Sequence, residues 1–513
     1  MVPAQAEVAR FASLSLASLI ADRIFSFAFA VLMSAAFGTS ASLDNYLLAL
    51  SGPVLITTLL GDLIYSLLLP EVTKPTLEQH RADPRWNVVI WTGLVLVGLS
   101  VAYAGLWGIA VSVLSPKSGS NDLLLLGLLT SPLVFLGGIA ALGATVLIAE
   151  RAYFSAVIRI PLASLVTLAS FLLWRQIIAG VEALAVSVVS GALAAALMMS
   201  VLVIRALGPL SLKMVPTDAG RLIRRLAGTS AAQLVAGLLG QGAIAVERVI
   251  GVAAGPGVVS ALNYGRVLVS PPLLIGQSIA TASFPRFVGQ RSASDIRRHR
   301  DLGHTVGMVV FLLLPLSVLL ARFAVPLVRA VYQRGTFDDV AVARTATTAA
   351  ALALGLVPIA VCAVTTRFLY AERASARVAV LTGATLFLYC ALAIALSQTF
   401  TYFGLAVAST ISYVFLMTGQ LLIVRYDRYQ SWDHVPAGSI SRSCAAALAM
   451  LLAIAVAETL SVPNSLAEGY FDAVAAASFG ILAYFATAFV LRSAELRQSW
   501  TVVVRIARNL RGG

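Results

Sequence analysis

Apolar runs long enough to cross a bilayer recur from one end of this chain to the other, and that pattern leaves few folds open. Crossing about 30 Å of hydrocarbon takes roughly 20 helical residues. Such runs lie at approximately 11–36, 42–70, 87–114, 123–149, 152–174, 182–204, 227–252, 257–285, 302–326, 341–366, 378–398, 402–424, 443–462 and 470–491. In lipid every backbone N–H and C=O must pair within its own segment, so only helices or a closed barrel can span. Runs this long, with no polar alternation, exclude barrel strands. The expected fold class is an all-α polytopic membrane protein of about 14 transmembrane helices. Composition agrees: 59% of residues are hydrophobic and 12% charged, which no soluble domain of this size would tolerate.

Charge placement fixes an expected orientation and removes one class of partner. With the amino terminus in the cytoplasm, most basic residues fall in cytoplasmic connectors, among them Lys74, Arg81, Arg85, Arg151, Arg205, Lys213, Arg221, Arg224 and Arg225. Lys117, Arg175, Arg329 and Arg334 fall on the other side. This positive-inside bias accounts for most of the net charge of +13, so no nucleic-acid partner is implied. Both termini are expected to be cytoplasmic. The apolar stretch after Arg10 runs to about Gly38, too long for a secretory h-region, and reads as the first membrane helix. Cys362, Cys390 and Cys444 lie in apolar spans without ligand spacing, so no disulfide, metal or cofactor is expected.

An internal repeat divides the chain. Ser42-Leu43-Asp44-Asn45-Tyr46, with Pro53 following, matches Ser260-Ala261-Leu262-Asn263-Tyr264, with Pro271 following, and Gly38 stands against Gly255 and Gly257. Six spans separate the copies, an even number, so the repeat is parallel, as in transporters built from duplicated halves. The expected organisation is an amino-terminal lobe over 1–211 with six helices and a basic amphipathic linker over 212–226. A second six-helix lobe over 227–425, two further helices within 426–494 and a basic amphipathic tail over 495–513 complete it.

Ionisable residues inside spans are costly and mark cavities or pathways. Arg23 in the first span and Arg266 in the eighth lie too deep to snorkel, and a guanidinium fork suits a diphosphate. They are the leading substrate-binding candidates, with Asn263 and Tyr264 beside Arg266. Asp44 and Asp62 are candidate ion-coupling carboxylates. Adjacent Glu247 and Arg248 point apart and suggest salt bridging near the outer interface. Pro53, Pro271 and Pro272 remove helix hydrogen bonds and, with Gly52, are candidate hinges. No Walker loop or His-Glu-x-x-His pair is present, and an enzyme is not expected.

The stretch from Glu247-Arg248-Val249-Ile250 through Ser260-Ala261-Leu262-Asn263-Tyr264-Gly265-Arg266 to Phe284-Pro285-Arg286 closely resembles the MurJ/MviN lipid II flippase family. Phe37-Gly38 followed by Asp44 is similar to that family's loop into its second helix. Arg334-Gly335-Thr336-Phe337 is similar to its RGxF element. The resemblance implies a multidrug/oligosaccharidyl-lipid/polysaccharide exporter fold in a bacterial inner membrane, with a cationic cavity for an undecaprenyl-diphosphate sugar. It places cavity arginines at Arg23 and Arg266. Further family arginines correspond to about Phe29, Thr57 and Thr58, and an acidic residue to Val269, which implies an altered headgroup pocket.

The expected function is therefore a flippase for a lipid-linked anionic saccharide serving peptidoglycan or an exported polysaccharide, with membrane lipids and cell-envelope synthesis enzymes as partners. Two rivals stand beside it. One is a cation-coupled drug or metabolite exporter of the same superfamily; the other is a non-transporting scaffold for polysaccharide synthesis.

Overall fold

The computed structural model describes residues 2–72, 85–114, 120–208, 231–289, 295–426, 437–460, 466–493 and 495–497. The expected linker at 212–226 and the tail beyond 497 lie outside the described residues. All regular structure among the described residues is helical. In chain order the helices are α1 Val2–Phe37, α2 Ala41–Val72, α3 Arg85–Leu114, α4 Ser120–Thr130, α5 Pro132–Ala149, α6 Tyr153–Val157, α7 Arg159–Trp174, α8 Glu182–Leu207 and α9 Ala231–Ala254. They continue as α10 Val258–Gly289, α11 Asp295–Arg322, α12 Ala324–Tyr332, α13 Asp339–Leu354, α14 Leu356–Ala371, α15 Ser375–Tyr426, α16 Ala437–Leu460 and α17 Leu466–Val490.

Among the described residues twelve helical stretches are long and apolar enough to cross a membrane, thirteen with the pair α13 and α14, which bend by 41°. A count of fourteen follows only if α15 is taken as two crossings. Its 52 residues include Thr401 at φ 43° and ψ −117°, where two helices meet, and an unbroken helix of that length would measure roughly 78 Å.

Prolines explain most of the breaks. A helical proline lacks the N–H that would reach the carbonyl four residues back, and in lipid that carbonyl needs another donor. Here hydroxyls supply it. Pro132 frees Leu128 O, which accepts from Ser131 Oγ at 2.9 Å, and the helix breaks between α4 and α5. Pro161 frees Val157 O, which accepts from Ser18 Oγ of α1 at 3.0 Å, at the break between α6 and α7. Pro315 frees Phe311 O, and Tyr484 of α17 donates to it at 2.8 Å.

The chain forms two compact units. The first comprises 1–260 with 334–337. In it α8 packs on α7 and α5, α5 on α2, and α9 also on α2. Its core includes Ile64, Leu96, Leu142, Val146, Met199 and Val203. Backbones approach closely at glycines: a Cβ on Gly191 would lie 2.4 Å from Ala163 O and one on Gly143 2.8 Å from Met199 Cβ, the small-residue contacts typical of membrane helices. The second unit comprises 261–333 and 338 onward. Phe287, Val309, Val364 and Phe368 anchor one core there. Phe311, Met450, Ile454 and Tyr484 anchor another that fastens α16 and α17 to α11, where Arg322 also pairs with Glu458.

Candidate functional site

In the first unit, α1 lies along α6 and α7 and presents, at four-residue spacing, Ser18 toward α6 and Asp22 and Ser26 toward α7. Ser164 Oγ donates to Asp22 Oδ1 at 2.5 Å. Arg23, one residue on, is exposed. The positions matched to additional family arginines hold side chains with settled contacts. Phe29 meets Phe171 edge-to-face at 5.6 Å. Thr57 donates to Leu133 O at 3.3 Å and Thr58 to Val54 O at 2.8 Å. A longer charged side chain at Phe29 or Thr57 would have to displace these contacts, whereas Thr58 is exposed and bonds within its own helix.

Asp44 is buried, and its two oxygens take the backbone N–H groups of Gly257 at 2.6 Å and Ser260 at 2.7 Å. A carboxylate so placed caps the first turn of α10, where orphan N–H groups and the helix dipole favour negative charge. Asp62 is exposed. Glu247 is buried, and Arg248 donates through Nη1 to Leu47 O at 2.6 Å, tying α9 to α2. The two elements matched separately to the family also touch. Thr336 N donates to Ala35 O at 3.0 Å. Gly38 and Gly335 have φ of +54° and +59°, and a Cβ on either would fall within 2.7 Å of a carbonyl oxygen of the other segment. Nothing in the spacing of either motif indicated that they meet.

In the second unit, α10 buries Val269, Ala280 and Phe287 on one face and brings Gly276 so near α14 that a Cβ would lie 2.6 Å from Ala360 Cβ. Arg266 and Asn263 are half-buried. At 100° per residue they lie roughly a quarter turn from the core face, in line with Ser270, Gln277 and Thr281. Tyr264 is fully buried; its ring lies 5.2 Å from that of Tyr332, whose hydroxyl donates to Tyr264 O at 3.3 Å. Tyr264 therefore supports the backbone beside Arg266 and offers no accessible surface.

The four candidate hinge residues sit in helices that continue through them. Pro53 is buried, and the carbonyl it frees, Ala49 O, meets Tyr103 Oη at 3.4 Å and Thr130 Oγ1 at 3.5 Å. A Cβ on Gly52 would lie 2.5 Å from Tyr103 Oη. Pro271 is exposed, and the carbonyl it frees, Val267 O, accepts from Ser270 Oγ of the same helix at 3.1 Å. No group of three His, Cys, Asp or Glu residues poised for a metal occurs among the described residues.

The chain's fold is shared with solved transporters. It superposes with a TM-score of 0.78 on a lipid II flippase MurJ in an inward closed conformation, at 16% identity, covering 93% of this chain and 99% of that one. An inward-facing multidrug resistance MATE family transporter of the MOP superfamily matches with a TM-score of 0.63 at 13% identity, over 79% and 94% of the two chains. The Vibrio cholerae MATE transporter VcmN in its bent form matches at 0.54 and 12% identity, over 83% and 98%. No curated protein sequence matches. The family model for the lipid II flippase MurJ matches residues 33–476, and with the apolar helical architecture this settles the assignment: the chain is a multi-pass membrane protein belonging to the lipid II flippase MurJ family.

Proposed function

We propose that this protein moves a polyprenyl-diphosphate-linked saccharide, lipid II or a related precursor, from the cytoplasmic to the periplasmic leaflet of a bacterial inner membrane by alternating access. The carrying observation is a match to the flippase family over residues 33–476 in a chain that keeps a guanidinium deep in α1 and another in α10. Arg23 and Arg266 would receive the diphosphate, since a planar donor fork pairs with phosphate oxygens in two-point fashion. Asn263 would contribute an amide beside Arg266, while Tyr264 and Tyr332 hold that stretch of helix in place. The polyprenyl tail would remain in lipid throughout.

The lost arginines bear on selectivity. Phe29 packs on Phe171, and Thr57 and Thr58 bond to backbone carbonyls. Diphosphate capture then falls on fewer cations, leaving neutral surface for the sugar. Cytoplasmic termini are supported by the basic connectors, and envelope synthesis enzymes on that side are the fitting partners. The test is complementation of a strain depleted of its own lipid II flippase. Growth is the expected result. Failure by a protein that inserts at normal abundance would exclude lipid II as cargo.

A further inference from the structure

A Cβ crowds the left-handed backbone region, so residues other than glycine seldom enter it. Four do so among the described residues: Arg151 at φ 60°, Arg373 at 61°, Arg492 at 51° and Thr401 at 43°. The three arginines occupy one position in one kind of turn. Each follows the end of a span, α5 at Ala149, α14 at Ala371 and α17 at Val490. Arg151 N donates to Ile148 O at 3.0 Å and Ala152 N to Leu147 O at 2.8 Å. Arg373 N donates to Tyr370 O at 3.1 Å and Ala374 N to Leu369 O at 2.9 Å, while Arg492 N and Ser493 N donate to Phe489 O and Ala488 O, both at 3.0 Å. This is the helix-ending turn whose left-handed position ordinarily belongs to glycine. Two of the turns also repeat in sequence: Ala149-Glu150-Arg151-Ala152 and Ala371-Glu372-Arg373-Ala374 follow the fourth and tenth expected spans, the same place in each lobe.

Where glycine takes positive φ, the side of the membrane differs. On the orientation read from the basic connectors, Gly38, Gly255, Gly257 and Gly335 lie outside and the three arginines inside. Gly208 ends α8 on the inside, but its ψ of −171° is a conformation open essentially to glycine alone. The helix dipole does not account for the arginines, because a cation within the last helical turn meets it at ordinary φ, as Arg205 does in α8. Partners within the chain do not account for them either. All three side chains are exposed, and among the described residues no hydrogen bond or ion pair includes them. What the position confers is a guanidinium held just past the end of the apolar span, where headgroups begin.

We infer that Arg151, Arg373 and Arg492 are docking points for anionic phospholipid headgroups of the cytoplasmic leaflet, each guanidinium pairing with the phosphate oxygens of one lipid. A planar donor fork meets a phosphate at two points, and the negative surface of that leaflet favours basic groups at the membrane edge. The choice of leaflet rests on the expected orientation; lipid binding does not.

The test uses the full-length protein in dodecyl maltoside, its Tm followed as dioleoyl phosphatidylglycerol is added, with dioleoyl phosphatidylcholine as the neutral comparison. Wild type should show a saturable rise with phosphatidylglycerol that phosphatidylcholine does not reproduce. Replacing all three residues, Arg151→Gly, Arg373→Gly and Arg492→Gly, removes the charges and gives each turn its favoured residue. Without added lipid that variant should match or exceed the wild-type Tm, and it should need at least about fivefold more phosphatidylglycerol for half the rise. Arg373→Gly alone should weaken the response, whereas Arg205→Gln, which removes an exposed arginine from an ordinary helical turn, should not. An undiminished response in the triple variant would overturn the inference, and equal effects of Arg373→Gly and Arg205→Gln would reduce it to net charge. A fall in the triple variant's Tm without lipid would make the arginines props of the fold, and an equal rise with sodium phosphate alone would assign a free anion; either result overturns lipid docking. No flipping is measured, so failure here leaves the flippase reading intact.

Discussion

The two copies of the repeat begin helices of equal length, 32 residues each for α2 and α10, yet cap them and compensate their prolines with different atoms. At the start of α2 the cap is local: Ser40 Oγ accepts from Leu43 N at 3.3 Å. At the start of α10 the cap is Asp44, a residue of the first copy. The proline sites differ in the same sense but with roles exchanged. Ala49 O, freed by Pro53, is held by Tyr103 of α3 and Thr130 of α4. Val267 O, freed by Pro271, is met by Ser270 of its own helix. The carbonyl freed in α2 is thus met by neighbouring helices, whereas that in α10 is met within its own helix. A repeated motif preserves helix length and the buried tyrosines Tyr46 and Tyr264, while the partners of its polar groups are set by whatever packs alongside.

Breaking the caps should produce the largest effect. Asp44→Ala orphans two backbone N–H groups in a buried place and should cost about 2–3 kcal/mol. Ser40→Ala removes one long, partly exposed bond and should cost about 0.5–1 kcal/mol. Apparent Tm of the purified proteins measures both, and equal losses would erase the distinction. The proline sites come next. Gly52→Ala drives a methyl into the Tyr103 ring and should cost about 1–3 kcal/mol, whereas Ser270→Ala, at the matching position of the second copy, should cost less than about 1 kcal/mol. In transport assays Pro271→Ala should slow flipping several-fold and Pro53→Ala should leave it near normal, if only α10 must flex at its proline site.

A smaller effect sharpens the contrast between a carboxylate under backbone N–H groups and one held by hydroxyls. Glu495, beyond the last span, accepts from Ser439 and from Ser493, the latter at 2.7 Å. Burial pushes its carboxyl up, but the two hydroxyl donors, its own backbone N–H and the Arg442 guanidinium together outweigh burial and hold it below the usual range. A folded pKa below the unfolded one means stability that is present above the ordinary carboxylate pKa of about 4.3 and lost as pH falls through the folded value. The difference in Tm between wild type and Glu495→Gln should therefore be constant from pH 8 to 6 and shrink once pH drops below about 4. A difference that persists undiminished at pH 3 would assign the effect to shape alone.

The fold was legible because apolar periodicity and length answer directly to the bilayer. The run at 42–70 became Ala41–Val72, and that at 182–204 became Glu182–Leu207. What escaped were breaks inside runs that hydropathy reads as continuous. The span at 341–366 is two helices meeting at Gly355, three residues before Pro358, which strips Leu354 O of its helical donor. The span at 152–174 breaks at Ile158 for the same reason, one turn before Pro161. A proline announces a freed carbonyl in sequence, but Ser18, Tyr103 and Tyr484, which meet those carbonyls, lie 54 to 173 residues away. The site was legible in its charges and not in their neighbours. Asp44 was marked as costly, which is right for an ionised group in a span, but its two backbone donors sit more than 200 residues on. Ser164, which meets Asp22, carried no signal at all as a serine in an apolar run.

On the proposed function, the guanidinium groups of Arg23 in α1 and Arg266 in α10 receive the diphosphate of a lipid-linked cargo. The most direct measurement is flipping of a fluorescent polyprenyl-diphosphate saccharide in proteoliposomes, comparing wild type with Arg266→Glu at matched insertion and matched Tm. Transport by wild type and its loss in the variant is the predicted result. Flipping at the wild-type rate by Arg266→Glu would rule out Arg266 as a diphosphate ligand.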